Sequence, residues 1–295
     1  MKGKKILVSG ASGFVGFSLA LELASSNEVH GIARFRDASM RRILEDAGVT
    51  IIVKDVTGDG LDNVPTDFDY VFNELAMLRI CDDYPREAFL VNTRFVADLL
   101  EHCRAADGVI LASTGAVYKP SAEAWNENGR LLPANTYAVS KLCGEILGGY
   151  VSEKLNVPTC ILRYFYPYGP LGVGGILARW ADMMRRGEAI PVNRATVPYY
   201  NPHFISDCVE LTIKAAELCK VPAATINVAG TEIKSKIQLL DMIREAFSVD
   251  YSVKDSRADF AWVGDVSVMV KSLGEPKINL RNGIAIMVKQ RYNLE

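Results

Sequence analysis

The sequence predicts an α/β fold: a doubly wound parallel sheet with helices on both faces, joined to a smaller C-terminal lobe. Three observations predict it. Short β-branched runs alternate with helical patterns through the first half of the chain. The alternation keeps a regular pitch, as βαβ units require. After Tyr164 the character changes: Gly and Pro cluster over 167–175 and the strands become less regular. The boundaries drawn from this are 1–165 for the first domain and 166–295 for the lobe, the latter partly intercalated with the former. At 295 residues such a chain buries roughly 75% of its unfolded surface.

Each element follows from local pattern. Lys5–Val8 is an apolar β-branched run and reads as the first strand, with an amphipathic helix over Gly13–Leu23 after it. Val29–Ile32 is the second strand and Ser39–Ala47 the second helix. Thr50–Val53 and Tyr70–Phe72 are the third and fourth strands, followed by a single helix from Pro85 to Cys103. Val109–Ser113 is the fifth strand, Thr136–Leu155 the next helix, and Thr159–Arg163 the sixth strand.

Composition excludes several classes. With 49% hydrophobic residues, 23% charged residues and a net charge of −2, there is no electrostatic case for nucleic acid or an anionic membrane. No apolar stretch reaches the length of a membrane span. The basic start MKGKK and the later FVGFSLALELA resemble parts of a signal peptide, but Ser-Gly-Ala-Ser-Gly splits the apolar run and Glu22 ends it. Six scattered cysteines without a CxxC pair read as reduced thiols in a cytoplasmic protein. Three histidines without metal-ligand spacing predict no metal site.

The first strand runs into SGASGFVG, where Gly10, Gly13 and Gly16 have GxxGxxG spacing. A glycine turn from strand to helix lets backbone N–H groups approach a pyrophosphate, and the helix N-terminus adds positive charge. This predicts a Rossmann-type dinucleotide site with Ser12, Phe14 and Val15 in the same loop. NAD-binding folds commonly end the second strand with an acid that bonds the ribose 2′-hydroxyl. Here that place holds Ala33 followed by Arg34, Phe35 and Arg36, which favours NADP, with NAD as the alternative. Asp55 either accepts from the adenine amino group or caps the segment after it.

The fifth strand ends in ASTGAVY, and Tyr137 and Lys141 follow as YAVSK on a helix. Positions i and i+4 share a face, so phenol and ammonium sit side by side. The ammonium favours the phenolate and lowers the tyrosine pKa from its ordinary value near 10. A strand-end hydroxyl can then hold a substrate oxygen while a proton leaves an alcohol and a nicotinamide takes the hydride.

With these residues in this order, the chain resembles the extended short-chain dehydrogenase/reductase superfamily, which contains NAD-dependent epimerases and dehydratases. The resemblance runs through nearly the whole chain: GASGFVG at 10–16, KDV at 54–56, Asn92 in LVNTRFVADLLEHC, ASTGAVY, YAVSK, RYFYPYGP at 163–170, YNPHFISDCVEL at 200–211, INVAG at 226–230 and LGEPKINLRNGI at 273–284. It implies Thr114, Tyr137 and Lys141 as catalytic residues. It implies cofactor contacts from the glycine loop, Arg34, Asp55, Val56, Leu75, Ala76, Asn92, Ser113, Tyr164, Tyr166 and Pro167. It implies a nucleotide-sugar substrate held by residues drawn from Glu74, Met77, Gly115, Ala116, Tyr166, Tyr168 and Arg179. A homodimer through the helices 85–103 and 136–155 is also implied.

Departures narrow the chemistry. Asn73-Glu74-Leu75-Ala76 stands where the family often has His-Leu-Ala-Ala, Tyr166 replaces a common asparagine, and Asn201-Pro202 stands where many nucleotide-sugar enzymes place an arginine. The family's 4,6-dehydratases and decarboxylases carry an acid one or two residues after the catalytic hydroxyl; here Gly115 and Ala116 occupy those positions. A methyl group transfers no proton. A 4-epimerase working through a transient keto intermediate is the leading reading. The alternatives are an NADPH-dependent carbonyl or keto-sugar reductase and a non-catalytic dinucleotide sensor or scaffold. His203 is read as structural, and Trp125 as covering either a substrate or its own loop.

Overall fold

The computed structural model describes residues 1–78, 80–171, 173–257 and 261–294. The chain divides into two compact units, each built from three segments. The first comprises Met1–Val117, Pro133–Arg163 and Thr212–Ile226; the second comprises Tyr118–Leu132, Tyr164–Leu211 and Asn227–Glu295.

The first unit is organised on a seven-stranded sheet. Its strands are β1 (Lys5–Ser9), β2 (Glu28–Ala33), β3 (Thr50–Val53), β4 (Tyr70–Asn73), β5 (Gly108–Thr114), β6 (Thr159–Tyr164) and β7 (Ala224–Val228). The lateral order is β7-β6-β5-β4-β1-β2-β3. Parallel pairings join β3 to β2, β2 to β1, β1 to β4 and β4 to β5. The order reverses between β1 and β4, which opens a crevice at the carboxyl ends of those strands. Leu7, Val71 and Val109 are fully buried in the core. Burial on both faces explains why these strands read as unbroken apolar runs.

The helices of this unit are α1 (Phe14–Ala24), α2 (Ala38–Asp46), α3 (Pro85–Phe89), α4 (Phe95–His102) and α5 (Thr136–Leu155). Asp37 caps α2 by accepting from Ser39 N–H at 2.9 Å. Asn135 caps α5 by accepting from Ala138 N–H at 2.9 Å. The single helix predicted from Pro85 to Cys103 is instead interrupted by a π turn at Leu90–Arg94. The seventh strand, β7, was not among the strands read from the sequence.

The second unit holds α6 (Gly175–Arg185), α7 (Ile205–Lys214), α8 (Lys236–Phe247), α9 (Ser267–Leu273) and α10 (Leu280–Tyr292). Short strand pairs link them: Pro167–Tyr168 with His203–Phe204, and Ile190–Val192 with Val253–Asp255. Ser235 and Gln238 form a capping box on α8. Arg291 and Tyr292 of α10 both bond Asp182 of α6, at 2.7 and 2.6 Å. Among the described residues, no helix is long and apolar enough to cross a membrane, and no three potential metal ligands cluster.

Candidate active site

The glycine loop closes against the chain leaving β4. Gly10 has φ +77°, and a Cβ there would lie 2.6 Å from the Leu75 nitrogen; a Cβ on Gly16 would lie 2.3 Å from the Gly10 carbonyl oxygen. Only glycine fits at either position. Gly13 N–H donates to that same carbonyl at 2.7 Å. Gly13 is also the N-cap of α1 and, lacking a side chain, offers no cap hydrogen bond. The first-turn N–H groups of Phe14, Val15 and Gly16 therefore receive no side-chain cap, which is the donor set a pyrophosphate requires. Ser12 and Gly13 border a cleft of about 580 Å³ whose apolar walls include Ile32, Val56, Leu75 and Ala76. Donors on one side and apolar walls on the other fit a nicotinamide dinucleotide.

The end of the cleft beside β2 is cationic. Arg34, Arg36 and Lys54 all line it, with Asp55 among them. Asp55 accepts from Thr57 N–H at 3.1 Å and from the Thr57 hydroxyl at 2.7 Å. It lies 3.7 Å from Arg34. The Thr57 bonds hold its carboxyl below the usual carboxylate range, with smaller help from Arg34 and Arg36. Of the two roles the sequence leaves open for Asp55, the structure shows the turn-forming one and also places the residue at the cleft.

Thr114, Tyr137 and Lys141 meet where α5 crosses the end of β5. Thr114 is hydrogen-bonded to the Tyr137 phenol, and burial pushes that phenol up to about 12. Lys141 donates from Nζ to the Ala112 carbonyl at 2.5 Å. Burial lowers its pKa to about 8, against the raising influence of Glu74 and Glu145. The expectation that the ammonium depresses the phenol is thus corrected: burial raises it, with the Thr114 bond as the opposing influence, and the lysine is anchored to the strand backbone. Gly115 and Ala116 form a 3₁₀ turn directly after Thr114, and Ala116 N–H donates to the Thr114 hydroxyl at 3.2 Å.

Ser113 bonds a partner absent from the sequence reading. Its hydroxyl donates to Glu145, which also accepts from Arg163 Nε at 3.0 Å and Nη2 at 2.7 Å. All three residues are buried. The signal was available: Glu145 follows Lys141 by four residues, the spacing that joins Tyr137 to Lys141.

Asn92 lies in the π turn with its amide fully engaged. Its oxygen accepts from Met77 N–H at 2.9 Å, and its nitrogen donates to the Met77 carbonyl at 3.0 Å and to the Ser140 hydroxyl at 2.9 Å. A Cβ on Gly144 would lie 2.2 Å from the Asn92 carbonyl, so α5 touches the π turn directly. Asn92 therefore ties the cleft-lining Met77 backbone to the helix of Tyr137. Glu74 and Met77 line the cleft.

The remaining candidates belong to the second unit. Tyr164 is buried, and Pro167 pairs with His203. Tyr166 has φ +52° and accepts from Trp262 N–H at 2.8 Å. Tyr168 is fully buried, edge-on to Phe204 and in contact with Gly283, so it packs the core of this unit and offers a substrate no surface. Arg179 is exposed on α6. Asn201 is buried and donates to the Gly264 carbonyl at 2.8 Å. His203 bonds the Phe165 carbonyl at 3.1 Å, and burial lowers its pKa to about 4, leaving it neutral and structural. Trp125 donates to the Lys119 carbonyl at 2.8 Å, within its own loop.

Sheet order, glycine turn and cleft define an enzyme of the extended short-chain dehydrogenase/reductase type that uses NAD(P). The chain belongs to the NAD dependent epimerase/dehydratase family, which it matches over residues 6–229. It is 26% identical over 259 residues to YtcB of Bacillus subtilis, described as an uncharacterised UDP-glucose epimerase, covering 82% of this chain and 81% of that one. It is 28% identical over 249 residues to a UDP-N-acetyl-alpha-D-glucosaminuronate decarboxylase of Bacillus cytotoxicus, covering 79% and 77%. Its fold superposes with a TM-score of 0.87 on UDP-glucuronic acid 4-epimerase of Bacillus cereus in complex with NAD, at 25% identity over 99% of this chain and 98% of that one.

Proposed function

We propose that the chain is a nucleotide-sugar 4-epimerase in which Thr114, Tyr137 and Lys141 move the proton. The observation that carries this reading is the trio itself, followed by Gly115 and Ala116 with no acid for water elimination or decarboxylation. Two of the three relatives above carry UDP-sugar epimerase names, which supports it; the third is named as a decarboxylase of a UDP-sugar. NAD(P) held by the glycine loop and the apolar walls of the cleft would supply the hydride acceptor and donor that the reaction needs. Thr114 holds the carbinol oxygen. In the oxidising half-reaction Tyr137 acts as the phenolate that takes the carbinol proton, and the phenol so formed returns that proton when the keto group is reduced; the phenolate must be favoured against the burial that pushes the phenol up to about 12. Lys141 carries its charge below about pH 8, where it steadies the phenolate and the cofactor ribose.

The test is conversion of UDP-glucuronate or UDP-glucose followed by proton NMR. Tyr137→Phe is expected to keep cofactor binding and to lose at least about 100-fold in turnover. Undiminished turnover would overturn the catalytic assignment.

The cationic end of the cleft supports NADP over NAD. Ala33 brings no carboxylate against a 2′-phosphate, while Arg34, Arg36 and Lys54 bring three cations. Stripped protein is expected to bind NADPH about tenfold or more tighter than NADH, and Arg34→Ala to erase the difference. Tighter binding of NADH would establish NAD, as carried by the Bacillus cereus neighbour. An NADPH-selective chain that leaves UDP-sugars untouched but reduces carbonyl compounds would be the alternative reductase. The reading also makes the chain a homodimer, paired through α3, α4 and α5.

A further inference from the structure

We propose that the buried Glu145–Arg163 pair is the positioning device of the catalytic set: it fixes the end of β5 through Ser113 and governs whether Lys141 is charged. The proposal rests on the catalytic roles assigned to Thr114, Tyr137 and Lys141 above.

The geometry has two parts. Tyr137, Lys141 and Glu145 follow one another at four-residue intervals on α5, so they form one stripe facing the sheet. The last of them reaches both strands beneath it. Glu145 accepts from Ser113 on β5 and from the Arg163 fork on β6. Ser113 adjoins Thr114, so the carboxylate fixes the strand end that presents the catalytic hydroxyl. Arg163 takes both Glu145 oxygens, which leaves the carboxylate little freedom to rotate.

The second part is charge. Glu145 acts on Lys141 from α5 and Glu74 from the chain after β4; Tyr137 shares the α5 stripe, and Arg163 of β6 is paired to Glu145. Cys81, a buried thiol of raised pKa, lies near Tyr137. From β5 come no ionisable groups, only the Ala112 carbonyl and the hydroxyls of Ser113 and Thr114. Burial disfavours the ammonium, and the carboxylates of Glu74 and Glu145 oppose it. Arg163 offsets part of the Glu145 charge. On this proposal the two partners of one ion pair act on Lys141 with opposite signs, Glu145 directly and Arg163 by offsetting the Glu145 charge it is paired to.

That opposition gives a test that a purely structural salt bridge would fail. In cofactor-free protein carrying 15N-labelled lysine, the Lys141 Nζ signal is assigned by its loss in Lys141→Met and titrated against pH. Glu145→Gln keeps the acceptor oxygen and removes the charge; its Lys141 midpoint is expected to fall by about one unit. Arg163→Gln leaves the carboxylate without its cation, and its midpoint is expected to rise. Glu145→Asp keeps the charge but withdraws it from Ser113; its midpoint should stay within a few tenths of the parent while kcat falls with KM unchanged. If Arg163→Gln does not fold, Glu145→Asp and Glu145→Gln still separate charge from placement.

In the epimerase assay the deficit of Glu145→Gln should grow about fourfold between pH 6.5 and pH 8, as the alkaline limb follows the lysine midpoint down. Midpoints that stay fixed in Glu145→Gln, or that move the same way in Glu145→Gln and Arg163→Gln, would overturn the proposal. An inactive parent would instead overturn the functional reading, and the titration of Lys141 would still report on the ion pair.

Discussion

At the scale of the residue, Lys141 shows function maintained against stability. Its side chain is nearly inaccessible, at 3% exposure, yet it stays protonated at neutral pH. Its pKa falls from 10.5 to about 8 on folding, so protons favour the unfolded chain. The destabilisation is full below about pH 8 and fades as the pH rises toward 10.5, where the lysine is neutral in both states. A shift of this size corresponds to roughly 3 kcal/mol. Lys141→Met fills similar volume without the charge but loses the bond to Ala112. Its chain is therefore expected to be inactive and, in urea unfolding at pH 7, more stable than the parent by about 1–2 kcal/mol. The gain should shrink between pH 8 and pH 10. A variant less stable than the parent at pH 7 would show that the Ala112 bond outweighs the desolvation. The same residue marks a limit of sequence reading. YAVSK places phenol and ammonium on one helix face, but the depth at which that face is buried decides the direction in which the phenol shifts, and depth depends on residues far away in the chain.

At the scale of the element, the inner strands of the first unit were legible because burial on both faces makes them continuous apolar runs, while β3, at the sheet edge with none of its residues buried, was legible from its β-branched composition alone. The glycine turn was legible in part because its constraint is local: Gly16 is required by the Gly10 carbonyl that the turn itself brings close and Gly10 by its φ of +77°, while the Glu74–Leu75 backbone just after β4 crowds Gly10 from outside the turn. β7 was not legible. It is only five residues long and carries Asn227 at its fourth position, a residue type that disfavours strands; in the folded chain the amide is buried and donates to the carbonyls of Trp125 and Asp265 at 2.8 and 3.2 Å. Those partners lie 102 and 38 residues away, beyond the reach of any periodicity argument. The π turn escaped for a related reason. The partners that engage Asn92 in the π turn, the Met77 backbone and the Ser140 hydroxyl, lie 15 and 48 residues away in the chain. The Glu145–Arg163 pair was half legible: the i+4 spacing puts Glu145 on the catalytic face, but nothing local assigns Arg163 as its partner.

At the scale of the whole molecule, an apolar surface on the first unit bears on the oligomeric state. Phe89, Leu90 and Leu147 line a groove of about 500 Å³ between the π-turn helix and α5. One helical turn apart on α5, Ile146 and Tyr150 stand 66% and 63% exposed. Exposed apolar side chains gathered on neighbouring helices mark an interaction surface. A 20-residue helix is about 30 Å long, so two copies packing α3, α4 and α5 against their counterparts can reach the roughly 1,000 Å² that a specific interface requires. Isologous pairing about a two-fold axis would place each Ile146 and Tyr150 against the same patch of the other copy. Light scattering after size exclusion is expected to give about twice the chain mass at micromolar concentration. Ile146→Glu combined with Tyr150→Glu should give the single-chain mass with unchanged far-ultraviolet circular dichroism, because both side chains face away from the core that α5 shares with β5. A parent that runs at the single-chain mass would refute the homodimer and leave this face open to a different protein.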